Sequence, residues 1–315
     1  MNLLVTKGWY EAPLHLDEIK AMGHTVYYIE HEEDALPCDP SIIDGVVCCK
    51  VFNFHPIEEF TRLKFIQTES VGYDRVPLEY AKAHGVKVYN VGATYAGPMS
   101  EYVICHLLDW YQNSAQERDN QANRGWVKNR NKQELSGKTV CIIGTGNIAQ
   151  YTAKKLKAFD CKVYAISHTA RDVDFVDEVR SYSILHETLK ESDIVIIATS
   201  RDAVEKHMAR ANATTSLPAG PVIGAAELAA MKDTTVLVNV ARGTQVDEKA
   251  LISALQSGSI QAAILDVYEE EPLAADSPLW DCENAILTPH SSYIGEGNAD
   301  RLWNVIKSNL LKELG

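Results

Sequence analysis

No stretch of this 315-residue chain stays apolar for the roughly 18 residues that a membrane-spanning helix needs. The N-terminal run MNLLVTKGWYE reads as a strand, without the charged-then-apolar opening of a secretory signal. Positive charge is scarce as well: 30 Lys and Arg stand against 43 Asp and Glu, a formal net charge of −13. That balance excludes a nucleic-acid backbone or an acidic membrane as the main partner, since both call for a basic face. Any anionic ligand must then be captured by a few local cations. The seven cysteines, at 38, 48, 49, 105, 141, 161 and 282, show no CxxC spacing and lie mostly inside apolar runs. An odd number so placed reads as reduced, buried thiols of a cytoplasmic protein. HExxH and Cys/His clusters are missing too, so no metal is expected.

What is present organises itself around Thr139 to Phe159. Val140-Cys141-Ile142-Ile143 is a β-branched-rich apolar run, the mark of a strand buried on both faces. Gly144-Thr145-Gly146-Asn147-Ile148-Ala149 follows at once, and Ala149, Ala153, Leu156 and Phe159 then recur at helical spacing. Strand, glycine turn and amphipathic helix form the first half of a dinucleotide-binding βαβ unit. Gly144 would permit the tight turn, Gly146 would let backbone approach a pyrophosphate, and Ala149 takes the close-packing third position. The phosphates would sit on free N–H groups from Asn147 and Ile148 onward, where the helix dipole favours negative charge. The bland reading, a structural glycine turn, does not need the flanking strand and helix.

Alternating strand and helix patterns divide the chain into two α/β domains with parallel sheets, flavodoxin-like and Rossmann-like. The spacing predicts strands at 2–6, 25–29, 45–49, 63–68 and 86–90, with helices at 14–22, 57–61 and 77–84. A long apolar helix is expected after Gly97-Pro98, from Met99 to about Ser114. Gln116–Gln133 lacks periodicity and reads as a surface arm, its Trp126 buried under a partner subunit or within the chain. A second series of strands is expected at 139–143, 161–166, 193–198, 235–240, 260–266 and 284–287, then a helix over 296–313. The substrate-binding domain would be 1–97 plus 291–315 and the dinucleotide domain 98–290, with cofactor and substrate meeting in a cleft. His31-Glu32-Glu33-Asp34 reads as a solvated loop. Lys50 and Tyr73, at strand exits of the first domain, are pocket candidates or plain solvated side chains.

The last third of the chain names a chemistry. Arg242 follows one predicted strand in Asn239-Val240-Ala241-Arg242-Gly243, and Asp266 and Glu271 follow the next in DVYEEEPL. His290 follows a third in Thr288-Pro289-His290, with Glu271 standing 29 positions after Arg242 and 19 before His290. Singly, an Arg at a strand end is ordinarily a surface ion pair, a Glu in EEEP solvated, and a His structural. Together they place an anion-binding fork, a carboxylate and an acid/base group on the ligand face of one sheet.

These motifs, with SVGYD near residue 72, resemble the D-isomer-specific 2-hydroxyacid dehydrogenases over nearly the whole chain. The resemblance implies an NAD(P)-dependent oxidoreductase of small 2-keto and D-2-hydroxy acids. It implies that Arg242 binds the substrate carboxylate, that His290 is the acid/base, and that Glu271 partners it. It further implies that Asp266 meets the nicotinamide carboxamide, that Thr199, Val240 and Ala241 lie along the dinucleotide, and that the N–H groups of Val71-Gly72 hold the substrate carboxylate. Homodimerisation through 99–133 is implied in the same way. The chemistry calls for such residues independently: imidazole titrates near neutral pH, and a guanidinium binds a carboxylate bidentately and steadies charge on a carbonyl oxygen. A nucleotide-sensing regulatory protein on the same scaffold is the alternative, one that would need no proton donor.

Two features depart from the family pattern. Ser167 stands where NAD-using members carry an acid, with His168 and Arg171 close by to meet a 2′-phosphate; this favours NADP(H) over NAD(H). Residues 209–221, ARANATTSLPAGP, look inserted and are expected to form a mobile surface loop.

Overall fold

The structure, a computed structural model, describes residues 1–8, 11–168, 172–199 and 220–314. Arg171 and most of the inserted stretch, 209–219, lie outside the described residues. Residues 1–95 with 295–315 form one compact unit and residues 96–294 a second. All strand pairings in the two sheets are parallel. Among the described residues no helix is long and apolar enough to cross a membrane.

In the first unit β1 (Asn2–Thr6), β2 (Thr25–Ile29), β3 (Gly45–Cys48), β4 (Phe65–Thr68) and β5 (Lys87–Tyr89) line up in the order β2-β1-β3-β4-β5. Period-two alternation sends Leu3, Val5, Val47 and Phe65 to one face. That face is covered by α1 (Ala12–Ala21) and by the closing helix α9 (Asn298–Leu314), whose Leu302, Ile306 and Leu310 recur every four residues. A buried hydrogen bond, Asn309 Nδ2 to Gln67 Oε1 at 2.8 Å, fixes α9 on β4. Leu4, Val46, Cys48 and Ile66 point the other way, into a core closed by α2 (Leu78–Ala83) and the turns at Ile57 and Phe60. The helix expected at 57–61 is one 3₁₀ turn, Ile57–Glu59, because Pro56 and a short polar stretch leave no room for an apolar stripe.

The second unit places β6 (Thr139–Ile143) inside a sheet of seven strands. β7 (Lys162–Ser167) and β8 (Glu178–Ser181) extend from it on one side. On the other come β9 (Ile194–Ile197), β10 (Val236–Asn239), β11 (Ala262–Leu265) and β12 (Ala285–Leu287). The chain order reverses between β6 and β9, so the carboxyl ends of those two strands form the switch point where doubly wound sheets take ligands. Helix α5 (Asn147–Lys157) buries Ala149, Thr152, Ala153 and Leu156. It packs beside α3 (Ala96–Tyr111), to which Lys155 Nζ donates at Ser100 Oγ, 2.7 Å.

Two elements differ from the sequence reading. β8 is an edge strand of sequence EVRS, too polar to show as a strand until β7 is there to pair with. The expected arm begins as a helix, α4 (Ser114–Ala122), with no buried residue and hence no apolar period. Beyond it Trp126 is 97% exposed in the single chain.

Candidate active site

Sterics dictate the glycine turn after β6. Gly144 has φ +119°, and a Cβ there would stand 2.8 Å from the Ala198 carbonyl oxygen and 3.0 Å from Thr199 Cβ. Only glycine meets both demands, and Thr199 borders the turn. Gly146 caps α5 without a side chain, and a Cβ on it would meet nothing within 4 Å. The first-turn N–H groups of Asn147, Ile148 and Ala149 have no acceptor inside a helix. Backbone donors, the positive helix end and open space at Gly146 suit a dinucleotide's phosphates.

At the next strand exit Ser167 is the last residue of β7, in register with Ser181 of β8. His168 stacks on Tyr182, ring centroids 4.0 Å apart and planes at 15°. Burial lowers the His168 pKa. That shift favours the neutral form of the ring.

Arg242 sits just past β10, in a turn stapled by one side chain. Asn239 Oδ1 accepts from the Ala241 N–H at 3.1 Å, and Asn239 Nδ2 donates to the Arg242 carbonyl at 3.0 Å. Val240 and Ala241 are buried, so they offer backbone rather than side chain to a ligand. The half-buried Arg242 guanidinium donates to the Ala241 carbonyl at 2.8 Å. Gly243 then presses on the β11 exit: a Cβ there would lie 1.8 Å from the Tyr268 carbonyl oxygen. The Arg242 turn and the segment leading to Glu271 are thus in backbone contact.

Of the three consecutive acids, Glu271 is the one that meets His290, Oε2 to Nδ1 at 2.7 Å. Its Oε1 accepts from the Tyr268 N–H at 3.1 Å, while Glu269 turns away to the Glu248 N–H. Glu271 and His290 remain 35% and 41% exposed at their side chains, open enough for a substrate to reach the ring. His290 itself has φ +49°, an uncommon conformation for a residue with a side chain.

Asp266 holds that loop. Fully buried, it accepts from Thr288 Oγ1 at 2.7 Å, from the Ser291 N–H at 2.8 Å and from the Ser292 N–H at 2.9 Å. Tyr102, on α3, donates to Thr288 Oγ1 at 2.7 Å, and Tyr268 Oη donates to the Thr288 carbonyl at 2.9 Å. The carboxylate singled out in the sequence for a nicotinamide carboxamide is therefore engaged with the His290 loop on both oxygens. Tyr102, Thr288 and Gly243 were not singled out in the sequence; their partners are remote in the chain.

In the first unit, Val71 and Gly72 follow β4 with their carbonyls tied down. Asn90 Nδ2 donates to Val71 O at 2.8 Å and Ser70 Oγ to Gly72 O at 2.7 Å. Among the described residues neither N–H has an acceptor, so both can receive a carboxylate. Tyr73 is half-buried, and Lys50 is exposed with its ammonium 5.4 Å from the Phe54 ring centroid. Glu32, expected in a solvated loop, is instead 5% exposed. It accepts from Thr6 Oγ1 at 2.6 Å and from the N–H groups of Cys49 at 2.8 Å and Lys50 at 2.6 Å. Those donors belong to β1 and to the β3 exit, which local sequence does not bring to mind. Among the described residues no cluster of His, Cys, Asp or Glu could hold a metal ion.

Comparison with known proteins gives a consistent picture. Residues 104–292 match the family model of the D-isomer specific 2-hydroxyacid dehydrogenase, NAD binding domain, and residues 45–125 that of the corresponding catalytic domain. A glyoxylate reductase of Thermococcus gammatolerans is 32% identical over 260 residues, covering 79% of this chain and 73% of the relative. A hydroxypyruvate reductase of Thermotoga maritima is 31% identical over 265 residues, covering 82% and 80%. The crystal structure of a D-isomer specific 2-hydroxyacid dehydrogenase family protein from Aeromonas salmonicida aligns with a TM-score of 0.79 at 26% identity, covering 98% of this chain and 94% of that one.

Proposed function

Because this chain belongs to the D-isomer-specific 2-hydroxyacid dehydrogenase family, we propose that it is a cytoplasmic, homodimeric reductase of small 2-keto acids that prefers NADPH. The observation that carries the reading is the 2.7 Å contact of His290 with Glu271 on a loop gripped by Asp266. Gly144, Gly146 and the α5 N-terminus would hold a nicotinamide dinucleotide, which when bound would supply the hydride for C2 of the substrate. Everything else is done by side chains and backbone of this chain. Arg242 turns its guanidinium to the substrate carboxylate, and in the first unit the N–H groups of Val71 and Gly72 offer donors of the same kind. His290 Nε2 gives its proton to the carbonyl oxygen, and Glu271 steadies the resulting ring through Nδ1. The product is a 2-hydroxy acid, with the imidazole reprotonated from solvent.

A sensor of nucleotide has no use for a paired proton donor, which is why the enzymatic reading is preferred over a regulatory one. Oxidation of NADPH and of NADH, followed by the loss of reduced-nicotinamide absorbance with glyoxylate, hydroxypyruvate, pyruvate and longer 2-keto acids, tests it. Absence of turnover across that panel would sink the reading. Cofactor choice rests on Ser167: no carboxylate there repels a 2′-phosphate. Ser167→Asp should swing the ratio of kcat/KM toward NADH by about ten- to a hundredfold; an unchanged ratio refutes the assignment. The exposed Trp126 arm is the natural partner surface, and sedimentation equilibrium decides between monomer and dimer.

A further inference from the structure

Two carboxyl groups lie at the carboxyl edge of the first unit's sheet, and the fold treats them in opposite ways. Glu32 is saturated by Thr6, Cys49 and Lys50. Glu69, the residue after β4, is 5% exposed, and among the described residues neither of its carboxyl oxygens has a hydrogen-bond partner. Its backbone is firmly placed, the N–H donating to Cys48 O at 3.1 Å and the carbonyl accepting from Tyr95 Oη at 2.7 Å. The side chain has space only because residue 8 is glycine: a Cβ there would lie 2.0 Å from Glu69 Oε2 and 2.3 Å from Oε1.

Nearby cations do not take the vacancy. Lys50 lies over Phe54, and Arg75 donates to Cys49 Sγ at 3.0 Å. A buried acid without donors destabilises a fold, and an apolar or amide side chain of the same size would avoid the penalty. A ligand that brings donors to this carboxyl would relieve the penalty. Glu69 stands two residues before Val71, and two residues of chain span at most about 7 Å, the length of a short substrate side chain.

We propose that Glu69 selects 2-keto acids whose side chain ends in an ammonium or guanidinium group. This rests on the reading of Val71-Gly72 as the carboxylate site and names the substrate class of that same site. In the free protein burial, then the neighbouring Glu32, push the Glu69 pKa well above the carboxylate range. Among the described residues Cys48 and Cys49 also face Glu69, and Arg75 stands beside Cys49. A neutral Glu69 must ionise as the cation arrives, so binding releases a proton. The resulting charge-assisted contact should favour the cationic substrate by about tenfold or more.

The test compares the 2-keto analogues of arginine and norleucine on the full chain with NADPH. Wild type should show the higher kcat/KM for the arginine analogue, and Glu69→Gln should cut that ratio by about tenfold. Calorimetry of the arginine analogue in two buffers of different ionisation enthalpy should show proton release with wild type and none with Glu69→Gln. A wild type that favours the norleucine analogue, a ratio unmoved by Glu69→Gln, or binding without proton release overturns the proposal. If glyoxylate or pyruvate is reduced but neither analogue is, the proposal is overturned while the reductase reading stands; if no keto acid is reduced, that reading fails by itself, and calorimetry alone then decides for or against Glu69. Glu69→Gln removes a buried acid without changing shape, so misfolding does not cloud the result.

Discussion

His290 is constrained from three directions: Glu271 at Nδ1, its own left-handed backbone, and Asp266 on the two N–H groups that follow it. That leaves Nε2 as the free end of the ring for proton transfer. Replacing it with Asn keeps the size and removes the titrating group. His290→Asn should lower kcat by about a hundredfold or more while the Kd for NADPH, read by fluorescence titration, stays within about twofold. Turnover near that of wild type removes His290 from the mechanism. Arg242 makes a different demand. In a chain of net charge −13, local donors must hold the substrate anion, and a lysine there offers a point charge instead of a fork. Arg242→Lys should raise KM for the keto acid as well as lower kcat; an unchanged KM argues that the carboxylate lies elsewhere.

Among the elements, the exits of β10, β11 and β12 act as one device. Asn239 staples the first, Gly243 fits the first against the second, and Asp266 ties the second to the third. Tyr102 on α3 reaches the same joint through Thr288. The tightest fit is at Gly243, where a methyl group would overlap the Tyr268 backbone and could be relieved only by separating two strand exits. Gly243→Ala should cost about 1–3 kcal/mol in urea unfolding. Its loss of kcat/KM should exceed what the unfolded fraction explains, because Arg242 and Glu271 shift together. A variant with wild-type stability and rate would show that the joint tolerates movement.

At the scale of the whole molecule, Glu69 couples stability to pH. Its pKa is raised in the folded chain and near 4.5 in the unfolded one. Folding therefore gains from its proton fully below that value, and the gain is lost as pH rises through the folded pKa. Glu69→Gln carries no such proton. Urea midpoints should show the variant gaining on wild type progressively as pH is raised above about 4.5. Parallel pH dependence of the two proteins would mean that Glu69 is ionised and partnered in solution. The same comparison bears on the proposed substrate class, since a partnered Glu69 has no need of a cationic ligand.

The two parallel α/β sheets were legible from residues in sequence, because apolar strand runs and glycine turns are local signals. Val140–Ile143 followed by Gly144 marks an interior strand and its turn without any tertiary contact. Arg242, Glu271 and His290 could be placed on one edge for a related reason: each lies past the end of its strand, and strand exits of a parallel sheet share one edge. Nothing local shows which acid of Glu269-Glu270-Glu271 faces His290, that Asp266 is spent on the loop beside it, or that His168 stacks on Tyr182 with its pKa lowered by burial. Nor does the pattern HEED reveal that Glu32 is buried while receiving donors from 17 and 18 residues away. Hydrogen-bond partners and desolvation are set by chain segments far apart in sequence, and only folding brings those together. Strand, turn and helix belong to the local code, whereas the state of each acid and imidazole belongs to the packed molecule.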